Sequence, residues 1–574
     1  SSILRNSYSN AEREKAKVAC LNRVRFSFQK NVTIREVVEA VSRNEYDKYN
    51  DFVSYLKKEE LEDEEFLKII TESRQFVQSM GPKLSELIKV LLSLNWLDRN
   101  QEIAQGYGNF FMDLLVAHPS YAHFGVSRLI APWLDSDKAG PLDFSDDTTD
   151  SPARKRLVLT HSLMLRALSV IPMVYDVVLD CINNSFPYFK RPSRMISCYV
   201  QNLLHLQEYS PSLTTHVFNI IVRKMLDMDV NAPRSEILET ESEDENLDKL
   251  IDAPMKHPIA ETLDCVMQIV LEFIDSSVKA SENPQSTNTR DVQFIFKMFI
   301  TMFDEIILPS HNTHHIQFLV FYLCSFKTAL AKQFLELLWN KINDPNLSSA
   351  IRQASAGYLS GFLARAKYIP EDLLKEYLMK LCSFAHNYIQ RCDSVISNSS
   401  LKANVVFYSV CQAVFYLIAF RSRDLTNHKK NLVFLQTLQL SGLVSSNLNP
   451  LRVCLPDVAT AFASVTRSHQ LAYCHTILEK NARRRLATVY DNDMGKPQEY
   501  LETFFPFDPY LLEKSGKYIT PIYVQYQFTE AEERIPHSHS RKRTDSFAQI
   551  MDDIDDFIVD KKLRLSESEN DRNL

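Results

Sequence analysis

The sequence predicts an all-α protein, a solenoid of antiparallel helix pairs with acidic loop insertions and a disordered C-terminal tail. Three observations predict it. Glycine is scarce, with 10 residues in 574, where average usage of about 7% would give roughly 40. Hairpins, dinucleotide-binding turns and phosphate loops all consume glycine, so they are disfavoured together. From Thr33 to Phe528, apolar residues recur at helical steps, without a convincing run of strands. Breakers then punctuate the pattern, at Gly81-Pro82, Pro119, Pro172, Pro211, Pro309, Pro345, Pro370, Pro450 and Pro456.

The segment from His311 to Pro370 shows one unit of such an array. Ile316, Leu319, Val320, Leu323, Phe326, Leu330, Phe334, Leu337 and Leu338 follow steps of three and four, predicting one helix with a single apolar stripe. Asn343-Asp344-Pro345-Asn346 stops it, because proline lacks an N–H and restricts the residue before it. A second helix follows, with Ile351, Ala354, Tyr358 and Phe362 on its buried side. Gly357 and Gly361 share that side and are expected to let a neighbouring helix come close. One pair cannot bury its apolar face alone, but a stack can. At roughly 40–47 residues per pair, about ten to twelve pairs would account for the array. Ile351-Arg352, then small residues, then Leu359 resemble the second helix of a HEAT repeat, so the expected architecture is HEAT-like.

Residues 1–30 are polar and expected to be loosely ordered, 31–529 form the array, and 530–574 form a disordered regulatory tail. Insertions interrupt the array at 135–156 (acidic, then basic), at 234–255 (acidic) and at 276–289 (polar). In the tail only Phe547, Ile550, Ile554, Phe557 and Ile558 offer an apolar face, enough for one short helix formed against a partner.

Net charge is −7, which argues against a broad grip on nucleic acid, so direct DNA contact is not expected to dominate. The ten cysteines include no C-x-x-C pair and sit mostly in apolar helical runs, the pattern of a reducing compartment. The N-terminus lacks the apolar core of a signal peptide. The uncharged run from Ala403 to Phe420 contains Asn404, Ser409 and Gln412 and reads as a buried helix rather than a membrane span.

Motifs for catalysis, cofactors and metals are incomplete. Gly106-Tyr107-Gly108 lacks the third glycine of a dinucleotide fingerprint, and neither Gly495-Lys496 nor Gly516-Lys517 completes a P-loop. His311, His314 and His315 lack the acid and spacing of a zinc-protease helix, and read as a helix cap or partner surface. Asp135, Asp137, Gly140 and Asp146 imitate a calcium loop, but Ala139 and Pro141 spoil it. No catalytic, cofactor-binding or metal site is expected, and the chain is not expected to be an enzyme. The loops point to protein kinases instead. Ser145 precedes two aspartates, while Thr240, Ser242, Ser566 and Ser568 have acids close behind, as acid-directed kinases prefer. Thr544 and Ser546 follow Arg541-Lys542-Arg543, a basophilic pattern. Each phosphate would add about −1.5 to −2 charge, enough to make or abolish a docking contact.

Several segments carry a family resemblance. They are Cys198–Leu204, Leu226-Asp-Met-Asp-Val-Asn-Ala232, His257-Pro-Ile-Ala260, His315-Ile-Gln-Phe-Leu-Val-Phe-Tyr322, Ile351–Ala354, Phe362-Leu-Ala-Arg-Ala-Lys367, Phe407–Tyr416, Leu448-Asn-Pro450 and Phe504-Phe-Pro-Phe-Asp-Pro509. In this order and spacing, from about Leu84 to Pro521, the chain resembles the RNA polymerase I-specific transcription initiation factors, called TIF-IA in animals. The resemblance implies a HEAT-like, non-enzymatic nuclear and nucleolar protein. Such a protein would bind RNA polymerase I, link it to promoter-bound initiation factors on ribosomal DNA, and respond to phosphorylation. It also places Ser145 where the family has a phosphorylated acidic loop. The alternative is another HEAT-type adaptor, such as a nuclear transport receptor.

Overall fold

The computed structural model describes residues 33–58, 61–134, 152–242, 255–282, 292–393, 401–490, 501 and 505–526. They fall into two compact units, one ending at Ile220 and one beginning at Ile221. Among the described residues the chain is helical, with 3-10 turns, one π turn and a single isolated β-bridge.

The first unit contains α1 (Ile34–Ser42), α2 (Asp47–Lys58), α3 (Asp63–Gln75), α4 (Ser85–Leu92), α5 (Gln101–Ala117), α6 (Ala122–Ile130), α7 (Pro152–Val170), α8 (Val174–Asn184) and α9 (Ser193–Tyr209). The boundary to the second unit lies within α10 (Thr214–Val230). Helices two apart in the chain pack side by side: α1 on α3, α2 on α4, α3 on α5, α4 on α6, α5 on α7 and α6 on α8. That register is what stacked antiparallel pairs produce. Local chemistry sets the ends. Thr33 accepts a hydrogen bond from Glu36 N and Asn100 accepts one from Ile103 N, capping α1 and α5. Pro82, Pro119 and Pro211 each open a 3-10 turn that leads into the next helix.

The second unit contains α11 (Arg234–Ser242), α12 (Pro258–Glu282), α13 (Val292–Met302), α14 (Phe318–Ser325), α15 (Thr328–Asn343), α16 (Ser349–Arg365), α17 (Glu371–Asp393), α18 (Val405–Phe420), α19 (Ser422–Thr426), α20 (Lys429–Thr437), α21 (Leu440–Val444), α22 (Pro456–Ser468), α23 (His475–Tyr490) and α24 (Glu513–Ile519). Helix α18 is its axis, packed by α16, α17 and α22 and buried along nearly its whole length. The apolar run that starts at Ala403 is core from Phe407 to Phe420, while Ala403 itself is exposed, and no helix among the described residues is long and apolar enough to cross a membrane. Helix lengths range from 5 residues in α19 to 25 in α12. That unevenness explains why the sequence shows no clean tandem period.

Two expectations for the 311–370 segment are corrected. The single helix proposed from Ile316 to Leu338 is two helices, broken at Phe326 and Lys327, where Lys327 adopts an extended backbone. No proline or glycine marks the break. Helix α14 is buried from Phe318 to Cys324, so its apolar residues surround it instead of forming a stripe. Gly361 does not admit a helix either. A Cβ there would lie 3.3 Å from the ring of Phe507 and 3.5 Å from Pro506, so a C-terminal segment comes close instead.

In the first unit His161 is buried against Trp133, their rings stacked at 4.7 Å. Its Nε2–H donates to Asn202 Oδ1 over 3.0 Å, and its Nδ1 accepts from the Tyr209 hydroxyl over 2.9 Å. Burial pushes its pKa down to about 3, with His205 adding to the effect against the Asn202 hydrogen bond. The unfolded chain takes up this proton near pH 6.5 and the folded chain does not. Stability is therefore complete above that pH and is lost as pH falls toward 3, by about 1.4 kcal/mol per pH unit. Melting between pH 7 and pH 5 should show Tm falling in the wild type and a flatter trend in His161→Gln. Equal slopes would remove His161 as the cause.

Candidate functional site

Residues 505–526 form a strap across the second unit, and the chain invests its most unusual buried groups in holding it. Phe507 inserts among Phe318, Phe321, Tyr358 and Phe362, with ring centroids 5.4, 5.2, 5.8 and 6.0 Å away. Gln317 Nε2 donates to Thr313 O at 3.1 Å and to Pro506 O. Arg234 Nη1 donates to Pro509 O at 2.7 Å. Farther along, Val524 N donates to Arg365 O at 2.7 Å and Lys367 N to Ile522 O at 2.9 Å, closing the isolated bridge between Ala366 and Tyr523.

Three buried charges anchor this arrangement. Asp229, wholly buried on α10, accepts backbone N–H bonds from His314, His315 and Ile316, and its Oδ1 lies 2.9 Å from His315 Nδ1. Burial opposes its charge, but the His315 contact and the N–H donors outweigh that and hold its carboxyl below the usual range. The histidines thus form a turn packed on a carboxylate. His314 is pushed down to about 4 by burial, and the His315 ring lies 5.4 Å from Tyr510 of the strap. On α12, Asp264 caps α24 by accepting from Lys514 N and Ser515 N, both at 2.8 Å, and from the Ser515 hydroxyl. Lys514 Nζ pairs beside it with Glu261. Arg365, 2% exposed, lies over the rings of Phe420 and Tyr523 at 4.6 and 5.3 Å. Burial works against its charge, while Tyr523, Tyr416 and the Asp508 carboxylate outweigh it and keep it cationic.

Four of the segments that carried the family resemblance meet here. Asp229, His315 with Gln317, Arg365 and Phe505–Pro509 come from four separate stretches. Sequence reasoning quoted the stretches but did not join them. The available signal was an acid on a buried stripe: Asp229 follows Met225 and Met228, and Asp264 falls between Leu263 and Met267, all buried. Chemically the site is a lock. Burial also raises the thiols of Cys324, Cys382, Cys411 and Cys454, Cys382 to about 12, which keeps them protonated and unreactive. Among the described residues no group of three His, Cys, Asp or Glu side chains is placed to hold a metal ion.

Of the candidate phosphorylation sites, Ser145, Thr544, Ser546, Ser566 and Ser568 lie outside the described residues. Thr240 lies in the last turn of α11, its hydroxyl donating to Glu236 O at 2.5 Å, and Ser242 ends that helix. The acidic stretch 234–255 therefore begins as helix. A phosphate at a helix C-terminus faces the negative end of the dipole, and no basic residue occupies that turn.

Replacing Phe507 by Ala should cost about 3–5 kcal/mol through the cavity it leaves. Asp508→Asn should cost up to a similar amount by leaving Arg365 less compensated. Hydrogen exchange of peptides covering 505–526 should accelerate in both variants, and unchanged exchange would mean that the strap is held elsewhere. In a separate test, Thr240→Asp with Ser242→Asp should speed exchange in the last turn of α11 a few-fold, given about 0.3–1 kcal/mol per unfavourable charge. Exchange as in the wild type would mean the turn tolerates the charge.

The chain matches the family described as RNA polymerase I specific transcription initiation factor RRN3 over residues 27–257 and 235–531. It is 32% identical to the RNA polymerase I-specific transcription initiation factor RRN3 of Mus musculus, covering 92% of this chain and 85% of that protein. It is 24% identical to the RNA polymerase I-specific transcription initiation factor tif-1A of Caenorhabditis elegans, over 79% of this chain and 75% of the relative. In fold it is similar to the crystal structure of RNA polymerase I transcription initiation factor Rrn3, with a TM-score of 0.66, 19% identity, and coverage of 86% of this chain and 97% of that one. With the family match running through both units, and four segments of the resemblance gathered at the strap of the second, this chain belongs to the RNA polymerase I-specific transcription initiation factor RRN3 family.

Proposed function

We propose that this chain is a non-enzymatic initiation factor that binds RNA polymerase I and bridges it to promoter-bound factors on ribosomal DNA, in the nucleus and its nucleolus. The observation that carries the reading is the family match across residues 27–531, reinforced by a mouse relative named as an RNA polymerase I-specific transcription initiation factor. The form of the molecule supports it. Within each unit, stacked helices present outer faces suited to holding partners in register. Burial holds His161, His314 and the Cys411 thiol in neutral forms that serve packing. Protein kinases act on the loops and tail in this reading, with Ser145, Thr240, Ser242, Thr544, Ser546, Ser566 and Ser568 as acceptors. Their phosphates tune docking by charge.

Affinity purification of the tagged chain from cells, with mass spectrometry of the bound proteins, tests the reading. RNA polymerase I subunits and promoter-bound factors are the expected partners, and phosphatase treatment of the bait should change their yield. Recovery of transport cargo or another assembly without polymerase I would sink it.

A further inference from the structure

A groove of about 720 Å³ opens where α15, α16, α17 and the start of α18 meet. Its apolar surface includes Trp339, Met379 and Phe384, with the rings of Trp339 and Phe384 6.4 Å apart. Its charged lining is Arg352, Lys380, Arg391 and Lys402, with no carboxylate among the described lining residues. Lys380 keeps an ion pair with Glu376 on its own helix at 2.7 Å, and Arg352 Nε donates to Ile342 O at 2.9 Å. Arg391 and Lys402 are exposed at the rim. An apolar floor under a cationic rim fits a helix that is apolar on one side and acidic on the other.

The chain carries such a segment. Ile550, Ile554, Phe557 and Ile558 follow helical steps, and Asp552, Asp553, Asp555, Asp556 and Asp560 are interleaved with them. Its tether is anchored close by. The last described residue, Tyr526, packs on Phe420 with rings 5.2 Å apart, and Phe420 is the last residue of α18. The first residue of α18, Val405, lines the groove. Along α18 the two ends are roughly 22 Å apart at about 1.5 Å per residue. The linker between Tyr526 and Phe547, residues 527–546, spans roughly 25 Å as an average coil and at most about 70 Å extended. A tether whose average reach matches the span gives a high effective concentration, so even a weak contact would be populated.

We propose that the segment Phe547–Asp560 docks as an amphipathic helix in this groove of its own chain. Ile554 and Phe557 enter the apolar floor, and the aspartates face Arg391, Lys402 and Lys380. This inference is independent of which polymerase or promoter factor the chain serves.

Zero-length carbodiimide crosslinking of the dilute full-length protein, with peptide mapping, tests it. The expected result is amide links from Asp552–Asp556 to Lys402 or Lys380, within the monomer and weakened by high salt. Links should be lost in Ile554→Asp with Phe557→Asp, and in Arg391→Glu, which leaves both reactive lysines in place. Circular dichroism and melting of the variants confirm that the fold persists. Four outcomes overturn the proposal: no links to the groove lysines, equal links to lysines elsewhere, links confined to crosslinked dimers, or groove links to Glu243 and Glu245 of the acidic insertion. Wild-type linking in the Ile554→Asp, Phe557→Asp variant also overturns it, because charge alone would then bring the tail near.

Discussion

Two carboxylates without access to water, Asp229 and Asp264, set the terms for the second unit. An isolated buried carboxylate is strongly unfavourable unless it is hydrogen-bonded from several sides. Asp229 meets that demand only when the turn at His314–Ile316 aims its N–H groups inward, and Asp264 only when the first turn of α24 offers the N–H groups of Lys514 and Ser515. Each acid therefore dictates the path of a distant piece of chain. A hydrophobic residue in either place would accept many packings, whereas the carboxylate accepts one. The aromatic cluster around Phe507 then supplies contact area to an arrangement whose geometry is already specified.

Arg365 extends the same logic. Its guanidinium is enclosed by Phe420 and Tyr523 and feels the Asp508 charge, while its carbonyl receives the strap backbone. One residue thus ties α16, α18 and the strap together by side chain and main chain at once. The strap has little regular structure between Phe505 and Leu512, so its backbone groups find partners in Gln317, Arg234 and Tyr523. That is why polar residues from helices far apart in sequence surround it.

Much of the fold was legible in the residues. Helical periodicity, the breakers and the lack of glycine gave an all-α array, and the buried reading of Ala403–Phe420 holds from Phe407 onward. The split between α14 and α15 was hidden because Phe326-Lys327 contains no residue that forbids helix; burial on every side of α14, imposed from outside it, decides the matter. Gly361 signalled close approach correctly but not by what, since a glycine records missing volume and not its occupant. The histidines read as a helix cap or partner surface, whereas His314 and His315 bind Asp229, which lies up to 86 residues earlier with no local pattern to link them. The resemblance named the stretches that matter, and three-dimensional contact shows that several serve one lock.

The hydrogen bond from Arg234 to Pro509 joins residues 275 positions apart. During synthesis at about 5–20 residues per second, the groove that receives Phe507 is complete at Phe362, roughly 7–29 s before its filling. For that interval Phe318, Phe321, Tyr358 and Phe362 lack the ring that covers them. The nascent chain therefore presents an aromatic slot to chaperones and to other chains, and synthesis of the strap seals it. Any product that stops short of Phe505 keeps the slot open permanently, so quality control can recognise incompleteness in this chain by one uncovered surface.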